Sequence, residues 1–484
     1  MGLLLKSISA PRRAFAGVRT APSVAALERL RIDSGCVRLA PMARPRNVLM
    51  IFVDSLRADH LGCYGYDRPT SPNIDRLASE GVVFDRFFAS SVPTQPSFTT
   101  TYTGQYSITH GVVSHKGGND LKPGTPWLPT LLRQDGLTTA SFDCLPRYQS
   151  WFVHGFEFVV DSTFPGPEDG YSCERLNSRV IPWLRHHGDE PFFAAIHYWD
   201  THTPYLPPER FDRFYEGDPT DPSNDTLAPL KDQYFSVMWR KWFEKLPEGM
   251  RDAEYVVGLY DGEIQHADEG VGAVLDALKE CGREDDTLVI VLADHGELMY
   301  RHDIFFDHHG LYDGNIRCPL VARWPGGVEP GKRVDAFSQH VDISPTILDV
   351  MGVAAPDSIE GQSLAPLVTG ESQRVRDFVV SQECTWQAKW AIRTGTHKLI
   401  RAMIPDLHGN PERELYDLRK DPDELTNIAE THPDLAADLE AKLNTWKSAH
   451  MEKNGLTEDP LVAHGISLGR AWEDWNARGR PLEG

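Results

Sequence analysis

NVLMIFVD, residues 47–54, is an unbroken apolar run that ends in an aspartate, and TLVIVLADHG (287–296) and EPFFAAIHYWD (190–200) repeat the pattern. A strand that is apolar on both faces must be covered on both, as in a parallel sheet with helices packed on either side. Helical patterns lie between the runs. SPNIDRLASEG (71–81) has a serine cap, a proline in the first turn and a glycine stop, and DGEIQHADEGVGAVLDALKECG (261–282) is longer. Strands alternating with helices predict an α/β fold with a doubly wound, mostly parallel central sheet flanked by helices. Such sheets bind ligands beyond the carboxyl ends of their strands. Each of the three runs delivers Asp or His there, which points to a metal or catalytic centre.

The 484 residues, 40% hydrophobic, suffice for one large domain and a smaller one. A formal charge of −21 and the lack of a basic run argue against nucleic acid as a partner. The seven cysteines are scattered and form no CxxC pair, which fits reduced thiols in a cytoplasm. No apolar run approaches the roughly 20 residues that span a bilayer, so no membrane insertion is expected. Residues 1–27 are basic with only the short run GLLL, which does not fit a secretory signal. Residues 1–43 are expected to be a disordered or spurious extension ahead of MARPRNVLMIFVD, with an organelle transit peptide as the alternative. A catalytic domain is expected over 44–370. WAIRTGTHKLIRAMI and ELYDL then predict a small α+β subdomain over 371–460, with an antiparallel sheet and a helix near 433–449, before a tail over 461–484.

Seven blocks in order carry a family resemblance: IFVDSLRADHLGCYGYDRPTSPNIDRLASEGVVFDRFFA, TQPSFTTTYTG, HYWDTHTPYLPP, YDGEIQHADEGVG, VLADHGE, LYDGNIRCPLVARWPG and ELYDLRKDPDELTNIAE. Together they resemble the signature blocks of the sulfatase family within the alkaline phosphatase superfamily, over residues 46 to about 445. The resemblance implies a metal-dependent hydrolase of sulfuric or phosphoric esters, with a small-molecule or glycan ester as its substrate. It assigns Asp54, Asp294 and His295 to a divalent metal ion. Read singly, Asp54 could equally cap a helix and His295 could be a satisfied core histidine.

Departures from the family pattern carry as much weight. Sulfatases usually follow the first aspartate with a second, and this chain has Ser55. Losing one carboxylate while holding His295 favours Mn²⁺ or Zn²⁺ over Ca²⁺ or Mg²⁺. Sulfatases place Cys or Ser at the head of C/S-x-P-S-R, where it is converted to formylglycine. This chain reads Thr94-Gln95-Pro96-Ser97-Phe98. A secondary alcohol would oxidise to a ketone, not an aldehyde, so Thr94 is expected to act directly, as a metal-bound alkoxide nucleophile. A sulfated threonine would need water to attack sulfur, whereas a phosphothreonine can be hydrolysed at phosphorus. Hydrolysis of a phosphoester, either a phosphodiester or a phosphonate monoester, is therefore favoured, with a sulfatase or a phosphoryl-group transferase as the alternatives.

His202 in DTHTPY is placed to act as general acid and substrate ligand. His308 and His309 in FFDHHGLYDG fall where relatives carry Lys-His, and both are expected to contact substrate, His308 at the reacting group. Asp200 with His202 could hold a second metal. Asp261 and Glu263 are expected to face partners on a long helix. Segment 205–250, rich in Pro, Asp and aromatics, reads as a specificity insertion, and Trp239, Trp242, Trp386 and Trp390 serve either the pocket mouth or the core.

Overall fold

The computed structural model describes residues 44–479, except 117–120, 162–171, 212–213, 233 and 325. The expected extension over 1–43 lies outside the described residues, as does the end of the chain from 480. The described part forms one compact unit.

Its centre is an eight-stranded sheet in the order Lys332–Val334, Val82–Phe84, Leu320–Arg323, Thr287–Leu292, Asn47–Val53, Phe192–Tyr198, Thr138–Phe142 and Phe158–Val160. Only Leu320–Arg323 runs against its neighbours. The three apolar runs are the adjacent central strands, and their residues are buried throughout. Helix Ala253–Glu280 packs with helices Pro72–Glu80 and Cys173–His187 over the sheet. The fold is the expected α/β arrangement.

Register places the chemistry. Val53 lies opposite Tyr198 and Phe52 opposite Leu292. Asp54, Asp200 and Asp294, one or two residues past these strands, therefore emerge at one edge of the sheet. Asp143 follows the neighbouring strand Thr138–Phe142.

A second, five-stranded sheet runs Arg413–Asp417, His397–Ala402, Lys389–Arg393, Val379–Glu383 and Ser91–Val92. The first four strands form the expected antiparallel sheet, against which helix Pro433–Lys453 packs. The fifth comes from far upstream and pairs parallel, with Gln382 opposite Ser91 and Glu383 opposite Val92. The sheet is thus shared between distant parts of the chain, which a boundary at residue 370 does not convey. The segment expected as a tail is also folded. Helices Pro460–His464 and Gly469–Ala477 bury Leu461, Trp472 and Trp475, and the Trp472 ring meets Phe235, His408 and Trp386. Two tryptophans three residues apart lie on one helix face and give this short segment an apolar anchor.

No helix among the described residues is long and apolar enough to cross a membrane. The described cysteines are free thiols.

Candidate active site

Thr94 opens helix Thr94–Thr103, directly after the strand Ser91–Val92. The helix is buried along its whole length, which ten polar-rich residues tolerate only if their hydroxyls are satisfied. Thr99, Thr101 and Thr103 donate to the carbonyls of Gln95, Ser97 and Thr99, four residues back. Ser97 Oγ donates to the Asp294 carbonyl at 2.6 Å, tying the helix to the end of the central strand.

The Thr94 hydroxyl lies 3.2 Å from His295 Nε2. His295 Nδ1 is 2.9 Å from the Gly296 carbonyl and donates to it, so Nε2 carries the lone pair and accepts from Thr94. Asp294 Oδ1 accepts from the backbone N–H groups of Ser55 and His295, whereas its Oδ2 is buried and has no hydrogen-bond partner. Ligand atoms of Asp54, Asp294 and His295 all lie within 4.8 Å of one another. An orphaned carboxylate oxygen, a second buried carboxylate and an imidazole lone pair are the donor set a divalent ion takes.

Electrostatics points the same way. Burial, then the neighbouring Asp54 charge, pushes the Asp294 carboxyl well above the usual carboxylate range. Burial alone would raise Asp54 too. The hydrogen bond and charge of His197 outweigh it and hold Asp54 well below that range. His295 is lowered to about 3 by burial and by His308, so its ring is neutral.

Two supports were not legible as site residues. His197, inside the central strand Phe192–Tyr198, donates from Nε2 to Asp54 Oδ2 at 3.0 Å and from Nδ1 to Asp143 Oδ1 at 2.9 Å. Burial opposes its charge, but Asp143 and Asp54 prevail and raise it to about 10. Ser55, in the left-handed region at φ 54°, donates from Oγ to Asp54 Oδ1 at 2.7 Å, so it orients the carboxylate it follows. Phe98 is fully buried, its ring centroid 4.1 Å from Phe52 and 4.5 Å from His197. Phe98→Ala is expected to cost about 3–5 kcal/mol of stability, read from denaturant unfolding, by opening a cavity under His197.

Above Thr94 is a cavity of about 620 Å³. His202 and His308 line it with Thr94, their rings 4.9 Å apart, and the His308 ring stacks on His295 at 4.7 Å. His202 Nδ1 donates to the Thr203 carbonyl at 2.6 Å, and burial lowers its pKa. His308 goes the other way. Burial opposes its charge, but Asp307 and Glu297 raise it to about 10, so His308 is the charged member of the pair.

His309 departs from expectation. Its side chain is fully buried, with Nδ1 2.8 Å from Asp307 Oδ1 and Nε2 3.0 Å from His408 Nε2. His308 thus enters the cavity while its neighbour His309 is turned into the protein and braces the loop. Asp200 and His202 also part. Asp200 Oδ1 accepts from the Cys173 N–H at 2.9 Å and faces His266, so the expected second-metal pair is not assembled. Asp261 finds its partners off the helix, in His60, Tyr66 and Arg68, and Glu263 lines the cavity. The mouth is apolar, with Tyr148, Leu206, Met238, Trp239 and Trp386. Trp242 and Trp390 are core residues.

Comparison with known proteins follows the same lines. The Sulfatase family model matches residues 46–353, and a second, N-sulphoglucosamine sulphohydrolase, C-terminal, matches residues 301–449. The chain belongs to the sulfatase family, whose members are metal-dependent hydrolases. It is 24% identical to an N-acetylglucosamine-6-O-sulfatase of Bacteroides thetaiotaomicron, over 82% of this chain and 86% of that one. A Delta 4,5-hexuronate-2-O-sulfatase of the same organism is 26% identical, over 81% and 86%. The crystal structure of the phosphonate monoester hydrolase of Agrobacterium radiobacter superposes with a TM-score of 0.68 at 25% identity, covering 84% of this chain and 96% of that one.

Proposed function

We propose that this chain hydrolyses a phosphoester, a phosphodiester or phosphonate monoester, with Thr94 Oγ1 as nucleophile. The observation that carries the reading is the Thr94 hydroxyl on the cavity floor, 3.2 Å from His295 Nε2 and at the start of a helix whose dipole favours negative charge there. Asp54, Asp294 and His295 would hold the divalent ion, with Thr94 as a further oxygen ligand. The imidazole in that set favours Mn²⁺ or Zn²⁺ over Ca²⁺ or Mg²⁺. When bound, such an ion lowers the pKa of the Thr94 hydroxyl and offsets charge on the transferring group.

The remaining work belongs to the chain. Thr94 Oγ1, its proton released to solvent, bonds to phosphorus as the bond from phosphorus to the ester oxygen breaks. The charged His308 gives its proton to the departing alcohol. Water then attacks the same phosphorus, its proton passing to His308, and the Thr94 oxygen leaves and takes its proton back from solvent. His202, neutral and with its Nδ1–H committed to the Thr203 carbonyl, presents Nε2 as an acceptor, so the general-acid role passes to His308. The apolar mouth around Trp239 and Trp386 suits a bulky or aromatic leaving group on a small-molecule or glycan ester.

A sulfatase using threonine directly is the competing reading, favoured by the sulfatases among the relatives. Paired chromogenic esters separate the two. The purified enzyme, reloaded with Mn²⁺ or Zn²⁺, is expected to show a kcat/KM at least about tenfold higher on an aryl phosphodiester or phosphonate monoester than on the matching aryl sulfate, a difference of about 1.4 kcal/mol in transition-state stabilisation. The reverse preference would overturn the phosphoester reading.

A further inference from the structure

A second group of ligating side chains borders the same cavity, brought there by three elements. Glu263 and His266 are one turn apart on helix Ala253–Glu280, Cys173 opens helix Cys173–His187, and Asp200 follows the strand Phe192–Tyr198. Cys173 Sγ, a carboxylate oxygen of Asp200 and a ring nitrogen of His266 all lie within 4.8 Å of one another, and the three residues are buried. His266 Nε2 is 2.7 Å from Glu174 Oε2 and donates to it. That leaves Nδ1 directed at Asp200 Oδ1, 3.3 Å away, and Glu263 Oε2, 3.8 Å away.

We propose that Cys173, Asp200, Glu263 and His266 form a second metal site, selective for Zn²⁺ or a similar transition-metal ion, distinct from the site beside Thr94. A proton on Nδ1 can serve one acceptor, yet two carboxylates whose side chains are 2% and 8% exposed converge on it. Glu263 Oε1 takes the Leu206 N–H at 2.8 Å, while its Oε2 lies beyond hydrogen-bonding distance of the ring. A dication gives both carboxylates a charge partner and takes the Cys173 sulfur as thiolate. Ligand atoms around a tetrahedral zinc ion, each about 2.0–2.3 Å from the metal, sit roughly 3.3–3.8 Å from one another. The distances from His266 Nδ1 to Asp200 Oδ1 and to Glu263 Oε2 already match that spacing. One thiolate, one imidazole and two carboxylates suit Zn²⁺ and not Ca²⁺ or Mg²⁺, which take oxygen alone. Glu174 on Nε2 completes the arrangement in which a carboxylate fixes the tautomer of a ligating histidine. Because Asp200, Glu263 and His266 also line the cavity, the ion would sit within reach of a bound substrate.

The full-length chain, stripped with a chelator and reloaded with Co²⁺, is expected to bind two equivalents and to show a near-ultraviolet thiolate-to-cobalt charge-transfer band. Cys173→Ser should abolish the band, and His266→Ala should lose one equivalent while the other remains. Asp294→Ala should keep the band. Because this signature does not depend on turnover, failure of the Thr94 reading leaves it intact. A wild-type chain without the band, or a band that survives Cys173→Ser, would overturn the proposal and leave the group as an ion-pair network centred on a protonated His266.

Discussion

Thr94→Ala is expected to fold as the parent does and to lose turnover by several orders of magnitude. The substitution removes one hydroxyl and one methyl from the first residue of a helix that its neighbours hold in place. Ser97 still ties the helix to the Asp294 carbonyl, and the back-bonded Thr99, Thr101 and Thr103 are untouched. What disappears is the atom that forms the covalent bond. Thr94→Ser should keep part of the activity, because a primary alkoxide attacks in the same way but lacks the methyl that restricts the side-chain rotamer. Quenching the parent enzyme during turnover and weighing the peptide that contains Thr94 should reveal the mass of the transferred phosphoryl group. A sulfuryl adduct there would transfer the mechanism to the sulfate reading. Thr94→Ala at the parental rate would end the covalent route altogether and leave water as the nucleophile.

Asp294→Asn is expected to have opposite effects on activity and on stability. Removing the charge weakens the hold on the ion beside Thr94, so metal bound at that cluster and kcat/KM should both fall by at least about a hundredfold. In the metal-free protein the same change is a relief. Burial and the Asp54 charge hold the Asp294 carboxyl well above its unfolded value. A raised carboxyl means that stability falls as pH rises from the unfolded aspartate value, about 4, through the folded one. At neutral pH the metal-free Asp294→Asn variant should therefore unfold at a higher temperature than the metal-free parent, and adding metal should reverse the order. His295→Ala should lose metal and activity without the gain in thermal stability, since it removes no buried charge. A variant of either kind with full metal occupancy and normal rates would remove these residues from the metal site.

Much of this was legible because chemistry sits at the ends of recognisable strands. Asp54 and Asp294 terminate apolar runs, and neighbouring parallel strands in register bring such ends together. His197 escaped notice because it lies inside a run that reads as pure core, and its partner Asp143 ends a less apolar strand, TTASF. Glu263 and His266 were hidden for a different reason. Spacing of three on a helix is what any solvated ion pair also shows, and only the packing of helix Cys173–His187 shows that these side chains look into a cavity. His309 was misread through adjacency, since neighbours in a loop need not share surroundings. The helices after residue 460 are short, and only the tryptophan pair at 472 and 475 signalled that they pack.

The strand Ser91–Val92 is ordered by residues that the ribosome makes nearly three hundred positions later, at Val379–Glu383. Only Pro93 separates Thr94 from that strand, so the proposed nucleophile is positioned in part by a pairing that cannot form until Val379–Glu383 has been made. Closing so long a loop is slow, because its entropy is lost before any contact compensates. A nascent chain that has folded its three central strands therefore holds Asp54, Asp294 and the Ser97 tie to the Asp294 carbonyl, but lacks the pairing on which Ser91 and Val92 rest. On the Thr94 reading, a product that stops before Val379 is expected to lack ester hydrolysis even where it stays soluble.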